Sequence, residues 1–116
     1  VSDTSLDVLW VLGANPLKNA QRASTQTFLV AQSLFLDETA SQADVVFPAA
    51  SAYEKNGTVT NVTGQVQRLK AAVKTMGAKA DLEIIGLIAK EMGLAALLGP
   101  WTHDAVFKQI HQSVHG

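Results

Sequence analysis

Gly13-Ala14-Asn15-Pro16 follows an apolar run and carries the clearest chemical possibility in the chain. A glycine at the end of a strand lets the main chain approach a phosphate, and an asparagine two places on can hydrogen-bond it. Gly13 and Asn15 are therefore the candidate cofactor-binding residues. The plainer reading is a strand-to-helix turn that uses Gly, Asn and Pro for geometry alone. Glu54-Lys55-Asn56-Gly57-Thr58 sets a carboxylate beside an amine, although Asn56-Gly57 is itself a turn signal, since both residues tolerate positive φ. His111 and His115 stand four apart on an expected helix and could share one face for a metal, with His103 two turns earlier. No cysteine and no clear acidic third ligand accompanies them, so solvated histidines and no metal site are expected. No serine or threonine sits in a nucleophile elbow, and no catalytic residue is assigned.

Several elements must position these groups. Residues 7–12 (DVLWVL) form a nearly continuous apolar run, as in a strand buried on both faces. Residues 17–26 are polar and predict a short helix or turn. Residues 28–32 and 43–47 read as the second and third strands, with Asp37 or Thr39 able to cap a helical turn between them. Apolar strands separated by helical connections indicate an α/β chain: a Rossmann-like domain with a short parallel sheet flanked by helices. Residues 58–61 and 66–69 are extended pieces around a turn at Thr63-Gly64. Leu82, Ile85, Ile88, Ala89 and Met92 then recur at helical spacing, with Asp81 as N-cap and Gly93 as the stop. A last helix begins after Pro100, capped by Thr102, with Val106, Phe107, Ile110 and Val114 as its apolar stripe. Residues 1–116 read as one domain, of which 94–116 is a C-terminal helical extension.

The bulk properties narrow the function class. The chain has 116 residues, 47% hydrophobic, with a net charge of −1, which leaves no electrostatic footprint for nucleic acid or an anionic membrane. No apolar stretch approaches the roughly 18 residues that read as a membrane span. The absence of cysteine excludes disulfides and cysteine-ligated iron–sulfur clusters within this chain. Arg68, Lys70, Lys74 and Lys79 form a mild basic stretch, either a solvated face or a dock for an acidic neighbouring subunit. The two Asn-x-Thr glycosylation patterns, at Asn56 and Asn61, are incidental without a secretory signal. A start at Val1 reads as a piece of something longer.

The order of residues across positions 28–68 extends the reading. Phe35, Glu38, Thr39, Ala40, Ala43, Asp44, Val45, Val46, Pro48, Glu54, Lys55, Gly57, Thr58, Asn61, Gly64 and Gln67 fall in sequence and at set spacing. Gly13-Ala14-Asn15-Pro16 lies upstream, and Ala80-Asp81-Leu82-Glu83-Ile84-Ile85 downstream. This arrangement resembles the third domain of the molybdopterin oxidoreductase superfamily. Within it, the wording is most similar to the large iron–sulfur subunit of the proton-pumping NADH:quinone oxidoreductase, complex I.

That resemblance implies a scaffold domain from the C-terminal region of a subunit that passes electrons from NADH toward quinone. The fragment itself would hold no cofactor and be inactive, with iron–sulfur clusters elsewhere in the parent. Its partners would be other subunits of the hydrophilic arm, peripheral on the cytoplasmic side of a bacterial inner membrane, without direct membrane insertion. The alternative is the cofactor-binding domain of a molybdenum enzyme such as a formate dehydrogenase. There Gly13, Asn15 and the loop after Pro48 would hold a molybdopterin guanine dinucleotide. Gln65 stands where the family usually has arginine, and Thr63 where an acidic residue is common. An arginine suits a phosphate through bidentate contacts and glutamine brings no charge, so this departure argues against molybdopterin. A third possibility is a free-standing Rossmann-like binding module.

Overall fold

Valine, leucine and tryptophan fit a pleated, partly buried surface, and the first apolar run forms strand β1 (Val8–Leu12). The computed structural model describes residues 6–22, 25–99 and 101–114. They fall into two compact units that divide between Ala49 and Ala50. In the first unit β1, β2 (Phe28–Ser33) and β3 (Val45–Pro48) make a parallel sheet in the order β1-β2-β3. Register sets Trp10 opposite Val30 and Val30 opposite Val45. Alternation along β2 then puts Leu29 and Ala31 on one face, where they join the core with Leu17 and Ala40. On the other face the Trp10 and Phe47 rings lie 6.2 Å apart. β1 is only half-buried rather than buried on both faces, because it is an edge strand with β2 as its one neighbour among the described strands.

Helix α1 (Glu38–Ser41) is a single turn, and of the two residues expected to cap it Asp37 does so, accepting from the Ala40 N–H at 2.9 Å. The polar segment before β2 resolves the expected choice as a turn. Lys18 N–H donates to the Asn15 carbonyl and Ala20 N–H to that of Leu17.

The second unit opens with an antiparallel pair, β4 (Gly57–Thr60) and β5 (Val66–Leu69), in which Gly57 faces Leu69. Asn56-Gly57 is not the turn its composition suggests: neither residue has positive φ, and Gly57 starts β4. Asn56 instead accepts from the Ala71 N–H at 3.1 Å. The chain reverses at the Thr63-Gly64 position, where Asn61 Oδ1 accepts from Thr63 N, Thr63 Oγ1 and Gln65 N. An asparagine side chain that accepts from the backbone two residues on stabilises such a turn.

Two helices follow, α2 (Asp81–Glu91) and α3 (His103–Ser113). The N-cap of α2 is Ala80 rather than Asp81; Asp81 is the first helical residue, and its carboxylate meets Lys55 Nζ at 2.5 Å. Gly93, at φ 72, ends the helix as its spacing predicted, and Leu94 N–H reaches back to the Ala89 carbonyl at 2.7 Å. Ile84 and Ala89 are its buried residues. Trp101 packs over Gly86, its ring 3.4 Å from where a Cβ would stand, and its Nε1 donates to the Ala95 carbonyl. Thr102 caps α3, accepting from the Ala105 N–H at 3.4 Å. Its stripe is not a buried one, since Phe107, Ile110 and Val114 remain exposed. Among the described residues no helix is long and apolar enough to cross a membrane.

Candidate functional site

Strand β1 ends at Leu12 and the main chain turns at Gly13 with φ 58, the left-handed region in which an L side chain costs about 1–2 kcal/mol. Its N–H donates to the Gln32 carbonyl at 2.8 Å, which ties the loop to the carboxyl end of β2. Among the described residues, chain neighbours apart, a Cβ placed at Gly13 would meet no atom within 4 Å, so conformation rather than crowding requires glycine there. The space beside the loop is open.

Asn15 faces inward. Its Oδ1 accepts from Thr39 Oγ1 at 2.7 Å and from Thr39 N at 3.2 Å, while Nδ2 donates to Glu38 Oε2 at 2.6 Å. Thr39 Oγ1 in turn accepts from the Leu17 N–H at 3.1 Å, and Thr39 is 1% exposed. The structure thus brings Gly13 and Asn15 together, but the Asn15 side chain clamps the loop to α1. The N–H groups of Ala14 and Asn15 make no hydrogen bond among the described residues. They lie at the carboxyl end of a parallel sheet, where such sheets take ligands, and free amides on a glycine turn suit anionic oxygens.

Carboxylates hold the surrounding loops. The Asn15 amide, and then its own backbone N–H, keep the Glu38 carboxyl below its ordinary value of 4.5. Arg22, followed by the Leu29 N–H, does the same for Asp44 relative to 3.8. Arg22 Nη2 sits 2.9 Å from Asp44 and also donates to the Thr27 carbonyl, stapling the turn before β2 to the start of β3. The Ser51 N–H lowers Glu54 in the second unit. Each group favours its ionised form when folded, so its contribution is complete above the ordinary value and lost as pH falls through the lower folded one. Melting temperature is therefore expected to fall with pH below 4.5 and further below 3.8. Asp44→Asn should flatten that fall; a pH series of thermal melts with parallel slopes would contradict the assignment.

The remaining candidates do internal work. Glu54 Oε2 accepts from the Ser51 N–H at 2.9 Å, and Lys55 pairs with Asp81. His111 is exposed on α3, and His115 lies outside the described residues. Among the described residues no group of three His, Asp or Glu is placed to hold a metal. Gln65 sits on the hairpin turn of the second unit, its Oε1 accepting from Asn61 Nδ2 at 3.4 Å. Sequence reasoning left Glu38, Thr39 and Arg22 without a structural partner. Glu38 and Thr39 stood in the matched run, but 23 and 24 residues separate them from Asn15, and local pattern does not report such pairings.

A family model described as Molybdopterin oxidoreductase matches residues 1–91. The chain belongs to the molybdopterin oxidoreductase family. It is similar to the F420-dependent formate dehydrogenase subunit alpha of Methanocaldococcus jannaschii, with 40% identity over 96% of this chain and 18% of that protein. It is similar to the assimilatory nitrate reductase of Haloferax mediterranei, 36% identical over 100% of this chain and 18% of that protein. A putative formate dehydrogenase of Bacillus subtilis is 48% identical over 60% of this chain and 7% of that protein. The chain spans less than a fifth of the length of these relatives.

Two expectations change. These relatives are formate dehydrogenases and nitrate reductases rather than the iron–sulfur subunit of complex I, which moves the weight to the alternative reading. The inference from Gln65 against molybdopterin gives way as well, because the family is one of molybdopterin oxidoreductases. Gln65 lies on an exposed turn of the second unit, where its side chain meets Asn61.

Proposed function

We propose that this chain is the part of a molybdopterin-dependent oxidoreductase, of the formate dehydrogenase and nitrate reductase kind, that holds one nucleotide arm of the pterin cofactor. The observation that carries the reading is the pair of amides at Ala14 and Asn15, unpartnered among the described residues, beside the Gly13 turn at the carboxyl end of the sheet. The residues fit the group: main-chain N–H donors suit a pyrophosphate without needing a cation. Asn15 and Thr39 fix the loop, so the amides are oriented before any ligand arrives and less ordering is lost on binding. Bound molybdopterin would supply the redox chemistry, while these residues bind and orient it. Leu34, Phe35 and Leu36 are 48%, 73% and 76% exposed just past β2, an apolar patch that a larger parent protein would cover.

The test has two arms. In the chain itself, titration with GDP (a stand-in for the guanosine end of the dinucleotide) should give saturable amide NMR shifts centred on residues 13–15. Shifts scattered over the surface, or none, would remove the site. In the full-length parent, elemental mass spectrometry should find stoichiometric molybdenum. Iron without molybdenum would favour the other reading, a cofactor-free scaffold in the iron–sulfur subunit of NADH:quinone oxidoreductase with the hydrophilic-arm subunits as its partners.

A further inference from the structure

The basic stretch at residues 68–79 does not stay together in the fold. Lys79 turns to Glu83 on α2, with Nζ 2.7 Å from Oε1. Arg68 and Lys70, on and just after β5, instead meet the side of α3. Between them lies a cavity of about 420 Å³, lined also by His103, Asp104 and Phe107. A second cavity of about 400 Å³ adjoins it, shares Arg68, Asp104 and Phe107, and continues to Lys108 and His111. The two make one groove along α3 in the second unit, with basic and imidazole groups on its walls and an aromatic ring at its centre.

Among the described residues Asp104 is the only carboxylate lining either cavity. It lies 3.2 Å from Arg68 Nη2, but the two side chains are 66% and 79% exposed, and an ion pair so open to water holds its partners weakly. Lys70 and Lys108 have no carboxylate within 4.0 Å among the described residues. The groove follows α3 from His103 to His111, a rise of about 12 Å at about 1.5 Å per residue. That length exceeds a single phosphate and matches roughly four residues of extended chain at about 3.3 Å each. Phe107, 38% exposed between the charges, offers an apolar contact of the kind that anchors interfaces.

We propose that this groove docks an acidic segment of a partner protein that also bears a leucine or phenylalanine. Its carboxylates meet Lys70, Lys108 and Arg68, displacing the Arg68–Asp104 contact, and its apolar side chain rests on Phe107. All the residues lining this surface belong to the second unit.

The experiment is fluorescence anisotropy of a labelled peptide of alternating glutamate and leucine against the whole chain. Saturable binding is expected, weakening as salt shortens the screening length from about 10 Å at 0.1 M toward about 3 Å at 1 M. Lys70→Glu combined with Lys108→Glu should weaken it at least about tenfold. Neither lysine has an ion-pair partner among the described residues, so that variant should melt like the parent. Lys90→Glu, on α2, should leave binding within about twofold. Absence of saturable binding, or equal loss in Lys90→Glu, would overturn the proposal. Displacement by inorganic pyrophosphate at lower concentration than by unlabelled peptide would overturn it in favour of a small-anion site.

Discussion

Leu29→Ala is expected to destabilise the chain by about 2–5 kcal/mol. Leu29 is 3% exposed on the central strand β2, and its N–H is held by Asp44 Oδ2 at 2.7 Å. Two other members of that core, Ala31 and Ala40, are alanines at 2% exposure, so the first unit has few large side chains that could collapse into the gap. The loss should therefore lie in the upper half of the range, a large share of the roughly 5–15 kcal/mol that a domain has in total. Phe28→Ala, one residue earlier but 46% exposed, should cost much less. Urea denaturation of the two variants decides it, and equal midpoints would mean that the sheet buries the other face. The effect reaches the site, because the Gln32 carbonyl that holds Gly13 is on the same strand.

Thr39→Val should cost about 1–3 kcal/mol although the side chains are nearly the same size. The hydroxyl is buried, donates to Asn15 Oδ1 and accepts from the Leu17 N–H; valine does neither and leaves both groups short of a partner. Thr39→Ser keeps the hydroxyl and should recover most of the loss. Asn15→Ala and Thr39→Val should also be non-additive, with a coupling of about 0.5–3 kcal/mol in a double-mutant cycle, because they share one hydrogen bond. Additive effects would show that the clamp does not act as a unit. Hydrogen exchange gives a second reading: in Thr39→Val the Leu17 amide, which donates to the lost hydroxyl, should lose protection before those of β2. If the Gly13 loop holds a nucleotide arm, the same variant should weaken GDP binding without touching a contact atom.

The strands, the helix stops and the family were legible in the sequence because each rests on local pattern. Apolar runs of four to six residues gave β1, β2 and β3 to within about two residues, and helical spacing gave α2 and its end at Gly93. The ordered motif over residues 28–68 pointed to the family that the match over residues 1–91 supports. Which branch of the family was less legible, since Glu54 and Lys55 in the matched run report internal structure. Glu54 caps a turn and Lys55 pairs with Asp81, duties that any relative with this fold can share.

Tertiary structure alone decided the partners. Asn15 could be read as a phosphate ligand until Thr39 and Glu38, more than twenty residues away, were seen to occupy its amide. The N–H groups of Ala14 and Asn15, free among the described residues, then became the candidate donors. Asn56-Gly57 carried a turn signal, yet the chain reverses at Thr63-Gly64, where the Asn61 side chain satisfies three donors and Gly64 takes φ 82. The basic residues at 68 and 70 became a groove only when α3 came to lie against the hairpin. A sequence fixes backbone preference through steric and hydrophobic terms that act within a few residues. Polar side chains choose among partners brought together by loop closure, and that choice is settled only when the chain is folded.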